Sequence, residues 1–211
     1  MKNVKYIRKV CNELLSCIEE YQSDDKYSEY WRRLDTQLYQ LCKSFPDHNY
    51  VGPILVKVIA VDRLYTAWLY RRGVKYINVA RGLQDSDIDT LLNEIGNRLT
   101  LRNVKDVANA ELVVAGFGNP KRARYDVFAS KYLHFHRPNV FPILDSSAEK
   151  RIKSISNKIG LHLNDCYCET RYECFCRQIL AMRKALRTVT DRHFSLLDFD
   201  KLLYGERYLL K

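Results

Sequence analysis

The feature that most constrains this chain is the recurrence of apolar residues at helical spacing along nearly its whole length, with only eight glycines and five prolines as punctuation. Ile7, Val10, Cys11, Leu14, Leu15 and Ile18 form one stripe, opposed by Lys9, Asn12, Glu13 and Glu19. A second helix is expected from Tyr27 to Ser44, stopping at Phe45-Pro46-Asp47, and a third, more apolar one from Ile54 to about Tyr70, halted by Gly73. Val74 to Val79 reads as a brief extended piece. Further helices are expected over Ser86 to Leu99, Asn103 to Ala115, Tyr125 to His136, Asp145 or Ser146 to Gly160, Tyr172 to Thr188, and Phe199 to Tyr204. No period-2 strand of useful length appears, so the expected fold class is all-α. The 211 residues carry no linker rich enough in Gly, Ser or Pro to separate independent domains, so one helical unit is expected.

Thirty-five Lys and Arg against 25 Asp and Glu give a formal charge of +10, which points to a polyanionic partner, with nucleic acid first. No apolar run is long enough for a membrane span or a signal peptide. Seven cysteines, an odd number, argue for reduced thiols in a cytoplasmic protein rather than a disulfide framework. Cys166, Cys168, Cys174 and Cys176 form C-x-C-x5-C-x-C, but two of them fall in a predicted helix where residues two apart diverge; thiols rather than metal ligands are expected.

The most informative stretch is AGFGNPKRARYDVFASKYLHFHRPNVFPILDSSAEKR, from Ala115 to Arg151. A helix, a Gly-x-Gly turn and a second helix form a helix-hairpin-helix layout. Gly116, Phe117, Gly118 and Asn119 make the turn, where amide N–H groups near a helix N-terminus can hold a phosphate oxygen. Lys121, Arg122 and Arg124 follow, where their charge adds to such a site. Asp145 begins the next helix, either as a simple N-cap or as an ionised carboxylate available for chemistry; Ser146 and Glu149 offer a competing capping box.

Together with VDRLYTAWL, the segment YDVFASKYLHFHRPNVFPILDS resembles the helix-hairpin-helix DNA glycosylase superfamily, in a bacterial branch near the 8-oxoguanine glycosylases that includes anti-phage enzymes excising hypermodified cytosine. The matching blocks run from Ile54 to Lys150, about half the chain. The resemblance implies a two-lobed helical fold with the active site between lobes, a helix-hairpin-helix at about 104–136 and a catalytic aspartate segment at 138–150. It further implies a DNA N-glycosylase acting as a monomer on double-stranded DNA with a modified base, without metal or organic cofactor. Asp145 takes the place of the catalytic aspartate. Arg63, Tyr65 and Trp68 become candidates for a wedge or base pocket, joined by His134 and His136. Bifunctional relatives carry a nucleophilic lysine just after the hairpin; neither Lys121 nor Lys131 aligns with it, so a monofunctional hydrolase is expected, with Lys131 as a pocket or phosphate contact. The alternative is a non-catalytic helix-hairpin-helix module that binds DNA and uses Asp145 only as a cap.

Overall fold

The computed structural model of the protein describes residues 27–161, 168–190 and 193–205, together with Arg8, Asn12 and Ser16. Arg8, Asn12 and Ser16 are helical; the rest of the expected N-terminal helix lies outside the described residues. Nine α-helices and no strand occur among the described residues, so the fold is all-α. None of these helices is long and apolar enough to cross a membrane.

The helices are α1 (Tyr27–Ser44), α2 (Val51–Leu64), α3 (Tyr76–Gln84), α4 (Ile88–Glu94), α5 (Val104–Ala115), α6 (Asp126–His136), α7 (Ser146–Ile159), α8 (Arg171–Thr190) and α9 (Leu196–Gly205). Two 3-10 turns, Tyr70–Arg72 and Pro120–Arg122, fall between α2 and α3 and between α5 and α6.

The chain divides into two compact units. The first comprises Leu34–Leu144. Here α2 packs on α3 and α6, and α5 packs on α4 and α6. Ile54, Val58, Val61, Leu69, Val79 and Leu83 are buried in its core with Val107, Val114, Phe128 and Leu133. Burying such side chains contributes about 1.5–3 kcal/mol each before conformational entropy is charged against it. The second unit comprises Met1–Arg33 with Asp145–Lys211. In it α7 packs on α8 and α9 through Ile152, Ile155, Phe175, Ile179 and Phe199.

Three local expectations are corrected. Residues 74–79 are not extended: α3 begins at Tyr76, and its apolar positions Val79, Ala80 and Leu83 are buried, a helical spacing hidden in a short β-branched run. Helix α2 ends at Leu64, not near Tyr70. The cysteines are not all reduced thiols: Cys168 and Cys174 form a disulfide, which brackets the start of α8. Cys42 and Cys176 are buried, while Cys11, Cys17 and Cys166 lie outside the described residues. No group of His, Cys, Asp or Glu suited to a metal ion occurs among the described residues.

Candidate nucleic-acid interface

Asp62 explains why α2 stops early. It sits near the helix end, buried, with one carboxylate oxygen accepting from the Leu69 amide at 2.7 Å. The other accepts from the Tyr70 amide at 3.0 Å and the Tyr76 hydroxyl at 2.7 Å. A buried carboxylate needs several donors, and here the donors come from the segment that would otherwise have continued the helix. Partial burial, reinforced by the neighbouring Asp62 charge, pushes the Tyr76 phenol up to about 12.

Looping residues 65–70 back onto Asp62 forces the backbone through the left-handed region at Thr66 (φ 50°) and at Trp68 (φ 68°). An L-residue with a bulky ring pays about 1 kcal/mol or more for that conformation. Trp68 is nevertheless 44% exposed, so packing of its ring does not explain its presence. Its face is covered instead by the Arg71 guanidinium, 4.0 Å from the ring centre, and Arg63 lies likewise 4.7 Å over Tyr70, which is 63% exposed.

The hairpin is shaped by close backbone approach. A Cβ on Gly82 would lie 2.1 Å from the Phe117 carbonyl oxygen, and one on Gly118 (φ 88°) would lie 2.1 Å from that of Gly82. A Cβ on Gly116 would lie 1.8 Å from the Asn119 carbonyl oxygen. Glycine is therefore required at all three positions, two of which belong to the expected Gly-x-Gly turn. Phe117, itself left-handed at φ 52°, stacks on Tyr125 at 4.8 Å and meets Phe128 edge-on.

The turn amides are spent internally. Those of Gly116, Phe117, Gly118 and Asn119 donate to the carbonyls of Leu112, Val114, Val113 and Gly116, and those of Arg122, Ala123 and Arg124 to Asn119, Pro120 and Ala115. The Lys121 amide donates to Asn119 Oδ1. Gripping a phosphate through these turn amides would break the turn, because each N–H has one bond to give. The charge at the hairpin comes instead from Lys121, Arg122 and Arg124, all exposed.

Arg72 joins the two features: its guanidinium lies 5.7 Å from the centre of the Tyr125 ring, the same ring that stacks on Phe117. The 3-10 turn after Trp68 and the hairpin are thus neighbours. Among the described residues they place Arg63, Arg71, Arg72, Lys121, Arg122 and Arg124 beside two exposed aromatic rings. Basic side chains interleaved with exposed aromatics are the combination that grips a phosphodiester backbone and stacks on bases.

The remaining candidates are placed differently. Lys131 is buried, and its Nζ donates to the Tyr65 carbonyl at 2.7 Å, holding the end of α2 rather than standing in solvent. Tyr65 is half-buried against Phe135, with its hydroxyl bonded to Asp35. His134 is buried with both ring nitrogens engaged. Its Nδ1 donates to the Phe141 carbonyl at 2.8 Å, so its Nε2 accepts from the Tyr39 hydroxyl at 2.8 Å. Burial lowers its pKa to about 4, which makes it a structural imidazole. His136 lines a separate cavity.

Asp145 is half-buried and is the N-cap of α7, with Oδ1 accepting from the Ala148 amide at 2.8 Å. The competing capping box does not form, since Glu149 pairs with Arg171 at 2.6 Å. Sequence reasoning missed Asp62, Tyr70, Arg71, Arg72 and Tyr125. The run Tyr70-Arg71-Arg72-Gly73 is an aromatic-basic signal in the sequence, hidden where the helix expected from Ile54 ends at about Tyr70.

Residues 10–140 match one family model, HI_0787_N, described as an N-terminal domain. The match takes in the whole basic-aromatic surface and ends before Asp145. No curated protein and no solved structure gives a significant match.

Proposed function

We propose that this chain, which belongs to the HI_0787_N N-terminal domain family, is a DNA N-glycosylase that flips a modified base from duplex DNA and hydrolyses its N-glycosidic bond. The observation that carries the nucleic-acid part of this reading is Trp68. A strained, exposed indole is held in place by a buried carboxylate and flanked by arginines, and its cost to folding has no return in core packing. In the proposed complex Lys121, Arg122 and Arg124 neutralise backbone phosphates while Trp68 enters the base stack as a wedge.

The chemical step rests on the resemblance of the sequence around Asp145 to the glycosylases. The Asp145 carboxylate would stabilise the positive charge that develops on the deoxyribose and orient the water that attacks C1′, the base leaving with the electron pair of the broken bond. The resemblance makes hypermodified cytosine, encountered in defence against phage, the first substrate to test. Mass spectrometry of bases released from modified DNA is the test. Asp145→Asn is expected to retain DNA binding and to lose base release, and full activity in that variant would overturn the mechanism.

A second reading, a non-catalytic DNA-binding module, is supported by the capping bond from Ala148 to Asp145. On that reading the protein binds duplex DNA with steep salt dependence and releases no base from any modified DNA.

A further inference from the structure

Burial alternates along the turn that displays Trp68. Ala67 and Leu69 are buried, while Trp68 and Tyr70 are exposed, so the turn is anchored by its aliphatic side chains and turns two rings outward. The backbone beneath those rings is fixed. The Leu69 and Tyr70 amides donate to the two oxygens of Asp62, and the Ala67 amide donates to the Asp62 carbonyl at 3.3 Å. Beyond them the Gly73 and Val74 amides donate to the Tyr70 and Leu69 carbonyls at 3.0 and 3.1 Å. All these bonds to the turn run through the backbone, so neither exposed ring is spent on holding it.

Each ring carries an arginine, Arg71 over Trp68 and Arg63 over Tyr70. A guanidinium keeps its N–H donors around its edge, where they can meet the phosphate of a nucleotide whose base lies against the same ring. In a paired duplex each base face is covered by its neighbours, and only base edges are offered in the grooves. A flat side chain therefore gains stacking only where a base has left the helix or the stack has been opened. One wedge inserted at one step employs one ring, Trp68. The second ring, Tyr70, has a use only if a second base is unpaired beside the first.

We propose that this surface takes DNA whose bases are already unpaired, a bubble within a duplex, with Trp68 and Tyr70 each stacking on one displaced base. The inference rests on the DNA-binding part of the reading above and names the form of DNA it selects. Opened DNA has met the cost of unpairing in advance, so both rings are filled without melting a paired step. Arg72, Lys121, Arg122 and Arg124 neutralise the backbone that carries these bases. Tyr70 is the residue that distinguishes opened from paired DNA.

The test is competition binding of the full chain, read by fluorescence anisotropy, with two duplexes of one length, one fully paired and one carrying two adjacent mismatched pairs. The bubble is expected to bind at least about tenfold tighter, the gain of one further stacked base. Tyr70→Ala is expected to bring the two affinities within about twofold of each other, whereas Tyr70→Phe, which keeps the ring, keeps the preference. The ring is exposed and the bond to Asp62 is made by the amide, so both variants retain the fold. Equal binding of the two duplexes by the unaltered chain, a preference that survives Tyr70→Ala, or its loss in Tyr70→Phe would each overturn the proposal. Binding of neither duplex would remove the interface and this proposal with it. Base release is measured on the same preparations. A bubble preference without base release counts against the glycosylase reading alone, and base release without the preference counts against this inference alone.

Discussion

Gly82 and Gly118 meet backbone to backbone: a Cβ on either would come within 2.1 Å of a carbonyl oxygen, belonging to Phe117 in one case and to Gly82 in the other. This contact seats the hairpin on α3, and α3 follows directly from the turn that displays Trp68. The two halves of the proposed DNA surface therefore share one piece of close packing. Gly82→Ala is expected to destabilise the protein by about 3 kcal/mol, because the obstacle is backbone and cannot rotate away. Urea denaturation reads the loss, and DNA affinity should fall along with it.

Asp62 should show its role in two measurements. Asp62→Asn removes the charge that three donors share, and about 2 kcal/mol of stability should go with it. In the same variant the Tyr76 phenol, raised to about 12 by burial and by Asp62, should titrate part of the way back toward its ordinary 10. Ultraviolet titration of tyrosine follows this. A raised phenol stabilises the fold fully below pH 10, and that contribution fades as the pH climbs through 12.

Trp68 separates folding from binding. Replacing it with glycine relieves the left-handed backbone, so stability should stay level or rise by up to about 1 kcal/mol. Affinity for duplex DNA should fall about tenfold, in line with the loss of one stacking ring. Fluorescence anisotropy at two salt concentrations would distinguish this from loss of a phosphate contact, which also flattens the salt dependence. Unchanged affinity in Trp68→Gly would remove the main support for the interface.

His134 sets an acid limit. It is buried neutral with a pKa of about 4, below the ordinary 6.5, so its contribution is fully present above pH 6.5 and is lost as the pH falls through about 4. A depression of that size is worth on the order of 3 kcal/mol. Acid denaturation monitored by circular dichroism should show the drop, and an NMR titration should place the His134 midpoint near 4. A midpoint near 6.5 would mean that the imidazole is solvated.

Much of this protein was legible in the order of its residues. The all-helical class, the ends of α1, α5 and α7, the Gly160 cap with its left-handed φ, and the hairpin between α5 and α6 all follow from local periodicity and turn chemistry. These signals act over a few residues, so a linear reading captures them. What only the tertiary structure decided is where polar groups find partners far along the chain. Asp62 draws in amides seven and eight residues on and so ends a helix that its apolar pattern would have continued. His48 meets Asp89 41 residues away and Tyr132 84 residues away. Lys131, which the sequence offered as a contact for DNA or a base, is drawn inside by the carbonyl of Tyr65. A buried polar atom must be satisfied wherever a partner lies in space, and no local pattern records that distance.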